Sequence, residues 1–466
     1  MPFGLDNMSN IQRWSIAGIL LLMILLGTSY PILSIAAFGV LALLTYVVDT
    51  TDFIFLYLTI TPLATIFRTS ATGQSFLTYI LLFYVLLDIA QEVFIQQEVD
   101  DSFVVLLIFF IVVVAVQLVL HTMDWKRTIK LMANILVIRN GARTNIEQHH
   151  KNFFLGYITG ILVASFATLI QPRIFQLQRF VTSKTLSTGY GFGSVDRFSA
   201  LYDDPNYYGV NIILCLCLVV ILFSRKEIGT ISAALLGGIL FYFGIITYSK
   251  TITIMMALPV FVLVKENQEN RRYIFQITSV LIVFIILAGA LSGVFPFFDI
   301  IIARFQTGDG SLSSMTTGRT GIWMDYFQYL KSNPWKLIFG SGLGAGYLST
   351  RKGIYAAHNF YIESLYHLGI VGGSLLFFVF GSILQSTQIP IKRNIIQYSG
   401  IIGIAIMYCT LNQLFSFELP VHLLTVIFLW NLSSAPDALQ PGESGSLHDK
   451  QGNRDRERPC GQSAHE

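Results

Sequence analysis

Thirteen stretches of apolar residues constrain this chain more than any motif in it. They cover 14–29, 31–48, 53–67, 74–97, 103–122, 152–172, 206–223, 229–247, 251–264, 273–293, 359–384, 396–414 and 421–434. A bilayer core is crossed by about 20 apolar residues in a helix. These stretches are continuous and do not alternate, which excludes barrel strands and leaves helices as the spanning structure. Hydrophobic residues make up 53% of the 466 and charged residues 12%, where a soluble domain carries about 25% charge. The predicted fold class is all-α: a polytopic integral membrane protein of about 12–13 transmembrane helices filling residues 1–435. Residues 436–466 are rich in Gly, Ser, Pro, Gln and charge, so they cannot bury enough surface to fold and are expected to form a disordered cytoplasmic tail.

The same features narrow the function. A net charge of +3 with no basic run argues against nucleic acid. Cys215, Cys217 and Cys409 lie in apolar runs and Cys460 in the tail, so there is no disulfide framework, no metal-ligand spacing and no metal or other cofactor to expect. The first run lacks a small-residue cleavage site and reads as an anchor. No internal repeat suggests the duplicated halves of a transporter.

Basic residues orient the chain. Segment 123–151 holds Lys126, Arg127, Lys130, Arg139, Arg143 and Lys151 and is expected to be a cytoplasmic loop. Alternation of spans then puts Arg225-Lys226, Lys265 with Arg271-Arg272, and Lys392-Arg393 on the cytoplasmic side. Glu98 to Asp101, loop 173–205, Tyr248 to Lys250 and the long loop 294–358 face outward. Thirteen spans leave the two chain ends on opposite sides, and the expected repair is that two early short runs form one span or a re-entrant pair, giving twelve.

The outward loops carry the candidate chemistry. Arg304 follows an apolar stretch, and Arg319 follows Gly318, which allows close backbone approach to a ligand. Guanidinium presents a planar fork that matches phosphate oxygens. Asp204-Pro205-Asn206 signals a helix start, with Asp204 and Asn206 as capping candidates. Arg197, just upstream, has no evident structural duty and is open to a ligand role. His358-Asn359 opens the run to Gln385, where a helix N-terminus favours an anion and a neutral imidazole able to act as a base; a polar cap is the other reading of His358. Gly369, Gly372 and Gly373 suit close helix packing. Gly342-x-Gly344-x-Gly346 lacks the Lys and Ser or Thr of a phosphate-binding loop and reads as flexible. His149-His150 has no Cys nearby and a single acidic neighbour, Glu147, which does not make a metal-ligand set. Asp88 and Glu92, one helical turn apart in an apolar run, could pair with an arginine, serve a proton path, or sit at a span end where charge costs little. If His358 is not the base, Asp88, Glu92 and Glu363 are the alternatives.

In order and spacing, Arg197-x-x-x-Leu201 with Asp204-Pro205-Asn206, Tyr248-Ser249-Lys250, Gly318-Arg319 with Trp323, Phe339-Gly340-x-Gly342, and His358-Asn359 followed by Gly369 resemble the O-antigen ligase and polysaccharide polymerase superfamily. The resemblance covers roughly residues 150–432. It implies a helical membrane glycosyltransferase of the GT-C type in the cytoplasmic (inner) membrane, acting at the external face on an undecaprenyl-diphosphate-linked oligosaccharide. By that resemblance Arg197, Arg319, Arg304 and Lys250 fall at the diphosphate, and His358, with Arg319, at the reaction centre. Lys250 stands where the family usually has arginine, and so lacks the bidentate fork. The leading function is polymerisation of polysaccharide repeat units, with membrane lipid and other polysaccharide export or chain-length proteins as partners. The alternatives are a ligase moving a finished glycan to a lipid or protein, and a flippase or transporter of lipid-linked oligosaccharide.

Overall fold

The computed structural model describes residues 8–68, 75–96, 101–144, 146–170, 176–177, 184–187, 194–266, 276, 279, 318–350, 353–385, 395–409, 414 and 419–432. The first helices are α1 (Asn10–Gly27), α2 (Pro31–Val47), α3 (Thr50–Ile60, continued by a 3-10 turn Thr61–Phe67), α4 (Leu77–Ala90, continued by a π turn Gln91–Gln96), α5 (Asp101–Val119), α6 (Trp125–Ala142) and α7 (Ile146–Ile170). A hairpin of β1 (Lys184–Ser187) and β2 (Ser194–Arg197) precedes α8 (Pro205–Ser224), α9 (Thr230–Ile245), α10 (Lys250–Met255) and α11 (Ala257–Glu266). After Gly318 come α12 (Arg319–Ser332), α13 (Pro334–Phe339), a hairpin of β3 (Leu348–Thr350) and β4 (Gly353–Tyr355), then α14 (Phe360–Gln385), α15 (Ile395–Tyr408) and α16 (Leu419–Asn431). Caps mark the starts as the sequence dictates: Ser9 with Gln12 boxes α1, while Asp49, Asp124 and Asp204 cap α3, α6 and α8.

Among the described residues, seven helical segments are long and apolar enough to cross a membrane, and four shorter apolar helices accompany them. The chain is thus an all-α polytopic membrane protein. Polar contacts fix which helix ends lie together. At one end, here the lower, Arg13 pairs with Asp52, Asn152 Nδ2 donates to Asn10 Oδ1 at 2.9 Å, and His150 meets Glu227 at 2.6 Å. At the upper end Arg68 pairs with Asp203 at 2.6 Å, Gly344 N donates to the Thr122 carbonyl at 2.9 Å, and Asn359 Nδ2 donates to the Cys409 carbonyl at 3.1 Å.

These contacts correct the expected topology. Segment 123–151 is not one loop: α6 carries the chain from Arg127, which donates to the Leu343 and Ala345 carbonyls at the upper end, to Arg139 and Arg143 at the lower. Its hydropathy hides it because it faces protein rather than lipid; every residue from Ala133 to Ala142 is buried. Glu92 accepts from Arg139 at 2.9 and 2.6 Å and from Arg143 at 2.9 Å, while Arg139 Nε donates to Ser102 Oγ at 2.9 Å. Of the three readings of Glu92, pairing with arginine is the one found. Asp101 therefore opens α5 at the lower end, opposite the 318–358 segment and not beside it as expected. Nor do two early runs merge, since α1, α2 and α3 are separate helices. The extra crossing is α6, and it places Asn10 and Asn431 at the same end of the bundle.

Gly369, expected to serve close helix packing, breaks α14 with φ 65° and ψ −173°. The 340–346 segment fills the break and is packed, not flexible: Ser341 N donates to the Tyr366 carbonyl at 2.7 Å and Gly342 N to the His367 carbonyl at 3.1 Å. A Cβ on Gly342 would lie 1.9 Å from Thr122 Oγ1.

Candidate functional site

The upper end of α8 gathers residues from three distant segments. Asp204 caps the helix, its Oδ1 accepting from Asn206 N at 2.7 Å and from Asn206 Nδ2 at 2.8 Å. Capping is thus the observed duty of Asp204. Asn206 is instead a bridge: its Oδ1 accepts from Ser249 Oγ at 2.7 Å and from Arg197 Nη2 at 3.3 Å. Arg197 also donates from Nε to the Thr247 carbonyl at 2.9 Å, so it does have the structural duty that the sequence left open. Tyr248, with φ 50°, makes the sharp turn that aims Ser249 at Asn206; a non-glycine residue in this region costs about 1–3 kcal/mol and is held by its surroundings. Lys250 is the first residue of α10, directly after Ser249.

Arg319 enters from the other side. Gly318, at φ 80°, provides a left-handed turn that starts α12. Burial pushes the Arg319 guanidinium below its usual range, while the Asp204 carboxylate and Tyr207 draw it back up. Arg197 is likewise lowered by burial, raised by Asp204 and lowered again by the charge of Arg319. Both stay cationic, because guanidinium does not deprotonate in proteins. Two half-buried guanidiniums thus share the field of one carboxylate, and an anion placed among them would relieve their mutual repulsion. Arg304 lies outside the described residues.

His358 precedes α14 and is half-buried with φ 49°. It is not the cap. That duty belongs to Asn359, whose Oδ1 accepts from Tyr361 N at 3.0 Å and Ile362 N at 3.1 Å. The strained backbone leaves the imidazole on the approach to the helix, one residue from the anchor. Trp323 Nε1 donates to the Ala357 carbonyl at 2.8 Å, which ties the His358 turn to the helix of Arg319. Trp323 is four residues from Arg319, about 6 Å along the axis. Arg197, Asn206 and Ser249 are joined by hydrogen bonds, Arg319 shares the electrostatic field of Asp204 with Arg197, and the turn of His358 is tied to the Arg319 helix through Ala357 and Trp323.

A buried ladder that the sequence did not reveal joins these halves. Asn211 Nδ2 donates to the Tyr207 carbonyl at 2.8 Å, and its Oδ1 accepts from Tyr157 Oη and from His422 Nε2 at 2.7 Å. With Nε2 donating, His422 Nδ1 must accept, and Tyr408 Oη at 3.2 Å is its donor. Tyr408 packs on Phe360, the residue after Asn359. Of these groups only His422, a lone imidazole within an apolar run, carried a sequence signal.

Residues 210–377, a little over a third of the chain, match the family model described as O-antigen ligase. The match includes Ser249-Lys250, Gly318-Arg319 and His358-Asn359, and begins after Arg197 and Asp204-Pro205-Asn206. No curated protein and no solved structure matches the chain. Members of the matched family are glycosyltransferase-like membrane enzymes that act on lipid-linked glycans. The 210–377 segment of this polytopic helical protein is an O-antigen ligase family match, in keeping with the O-antigen ligase and polysaccharide polymerase superfamily that its ordered motifs resemble.

Proposed function

We propose that the protein is a GT-C-type membrane glycosyltransferase that polymerises polysaccharide repeat units, transferring a glycan from undecaprenyl diphosphate to a hydroxyl of a second lipid-linked unit. The observation that supports this reading is the hydrogen-bonded group of Arg197, Asn206 and Ser249 at the start of α8, with Arg319, more than a hundred residues from Arg197 in sequence, within electrostatic reach of the same Asp204 carboxylate. The upper end of the bundle is taken as the external face of the cytoplasmic membrane. Arg197 and Arg319, with Arg304 and Lys250 as further cations, hold the diphosphate. As the acceptor oxygen bonds to the anomeric carbon, the bond from that carbon to the diphosphate oxygen breaks and its electron pair leaves with the phosphate. Fixed guanidiniums stabilise that growing charge. His358 takes the acceptor hydroxyl proton.

A ligase that moves the finished glycan to another acceptor uses the same residues, and the description of the matched family favours it. Deleting the gene and analysing surface glycans separates the two. Single repeat units left on the carrier support the polymerase, and full polymers stranded on undecaprenyl diphosphate support the ligase. An unchanged glycan profile refutes both.

A further inference from the structure

The short helix α13 sits deeper than a loop outside the membrane would reach. Its last residue, Phe339, lines a small cavity together with Val112 and Val116 of α5 and Val371 of α14. With 19 residues, α5 is about 28 Å long and just spans a hydrocarbon core of about 30 Å. Val116 and Val112 lie about 5 and 10 Å below its upper end at Val119. The break at Gly369 admits α13 at this level, because the Ile338 carbonyl and Gly340 N occupy the space that a Cβ would need. Phe339 is therefore held by the bundle within the upper half of the bilayer.

The outward faces of α12 and α13 match that depth in composition. Trp335, Ile338 and Phe339 of α13 are exposed, and Trp335 stacks on Phe339 with ring centres 6.0 Å apart. Met324 and Phe327 of α12 are exposed as well, whereas Ile322, Tyr326 and Leu330 on its other side are buried in a satellite core with Ala357 and Tyr366. Lys331 is exposed, and Lys336 Nζ lies over the Tyr329 ring at 5.0 Å. Large aromatic and aliphatic side chains flanked by lysines are what a helix lying in the membrane interface carries. A protein-binding face is instead depleted in lysine.

We infer that the outward face of α12 and α13 rests in the upper leaflet of the phospholipid bilayer, with Trp335 and Phe339 among the acyl chains near the headgroups and Lys331 directed to lipid phosphates. This part of the long 294–358 loop is thus a membrane-surface anchor. Arg319 is the first residue of α12, so the anchor fixes the height of its guanidinium relative to the lipid surface. That consequence holds whatever Arg319 binds.

The test is fluorescence quenching in the full chain, reconstituted in nanodiscs of phosphatidylcholine and phosphatidylglycerol, with Cys215, Cys217, Cys409 and Cys460 replaced. An environment-sensitive NBD fluorophore is attached through Trp335→Cys in one protein and Phe327→Cys in another, both side chains being exposed and outside the packed core. Each fluorophore is expected to lose roughly half or more of its emission to a lipid with a nitroxide near the headgroup end of its acyl chain, and about a tenth or less to aqueous iodide, as an insertion depth of about 5–10 Å requires. The reverse pattern at either position overturns the inference and leaves the helices in water. Protection from both quenchers also overturns it, because protein, either a second copy or another segment of this chain, then covers the face. Glycan transfer is not read, so failure here leaves the proposed reaction standing.

Discussion

Gly369→Ala should detach the 340–346 segment from the bundle, whereas the same substitution four residues along the helix should be harmless. An alanine at 369 would hold a backbone of φ 65° and ψ −173°, a region essentially restricted to glycine that costs about 1–3 kcal/mol for other residues. Its Cβ would also lie 2.3 Å from Gly340 N and 2.5 Å from the Ile338 carbonyl oxygen, backbone atoms that cannot rotate away. Relief requires the loop to withdraw, with loss of the Ser341 N and Gly342 N hydrogen bonds to the Tyr366 and His367 carbonyls, worth about 1 kcal/mol each. The combined effect is about 3–5 kcal/mol, a large share of the 5–15 kcal/mol that typically separates folded from unfolded protein. Gly373 is helical and a Cβ there meets nothing within 4 Å, so Gly373→Ala should stabilise slightly, by up to about 1 kcal/mol. Amide hydrogen exchange over 340–346 in detergent-solubilised protein reads the difference. Exchange in Gly369→Ala as slow as in Gly373→Ala would refute the reasoning.

Other substitutions test the site and the topology. Arg319→Ala should lower glycan transfer by about 2–4 kcal/mol of transition-state stabilisation, with partial rescue by lysine; transfer equal to wild type at equal membrane abundance removes Arg319 from the diphosphate. His358→Gln should still bind donor but transfer at least tenfold more slowly, the low end being about 10² for general-base loss and tenfold a cautious bound; near-normal transfer moves the search for the base to Glu363. Arg139→Met leaves Glu92 buried without its bidentate partner and should cost about 3–5 kcal/mol, most of it recovered by adding Glu92→Leu. Melting of the two variants in detergent checks this, and identical melting of single and double variants contradicts it. Finally, with Cys215, Cys217, Cys409 and Cys460 replaced, cysteines at the exposed Lys126 and Lys151 should label from opposite sides of the membrane; labelling of both from one side would rule out α6 as a crossing.

The fold class was legible because lipid-facing helices must be apolar, and the described helices coincide broadly with the apolar runs. What composition hid was α6, since a helix wrapped by protein is free to carry Asn134, Arg139 and Asn140 provided each is accommodated within the bundle. The sequence singled out Arg197, Arg319 and His358, and the structure brings the first two together. It also shows what pattern alone does not contain: the tie from Arg197 to Thr247, the transfer of capping from His358 to Asn359, and the Asn211–His422–Tyr408 ladder. Those depend on which helices are neighbours, and hydropathy does not encode that. The glycine-rich 340–346 segment misled for a related reason, because glycines chosen for close backbone contact look in sequence like glycines chosen for freedom.

The Glu92–Arg139 pair has a consequence for how the chain enters its membrane. Arg139 lies in the last turn of α6, and a helix so poor in apolar character, wrapped by protein, has little lipid-facing surface to drive its insertion. The helix is therefore not expected to be retained in the bilayer by itself. It has to be handed into place against α4 and α5, where Glu92 and Ser102 already wait for its guanidinium. Biogenesis of everything downstream depends on that assembly step. Were α6 to slip out, each later helix would be threaded in the reverse sense, and the cluster of Arg197 and Arg319 would be delivered to the opposite side of the membrane. One buried ion pair near the lower end thereby determines the orientation of a candidate site built at the upper end.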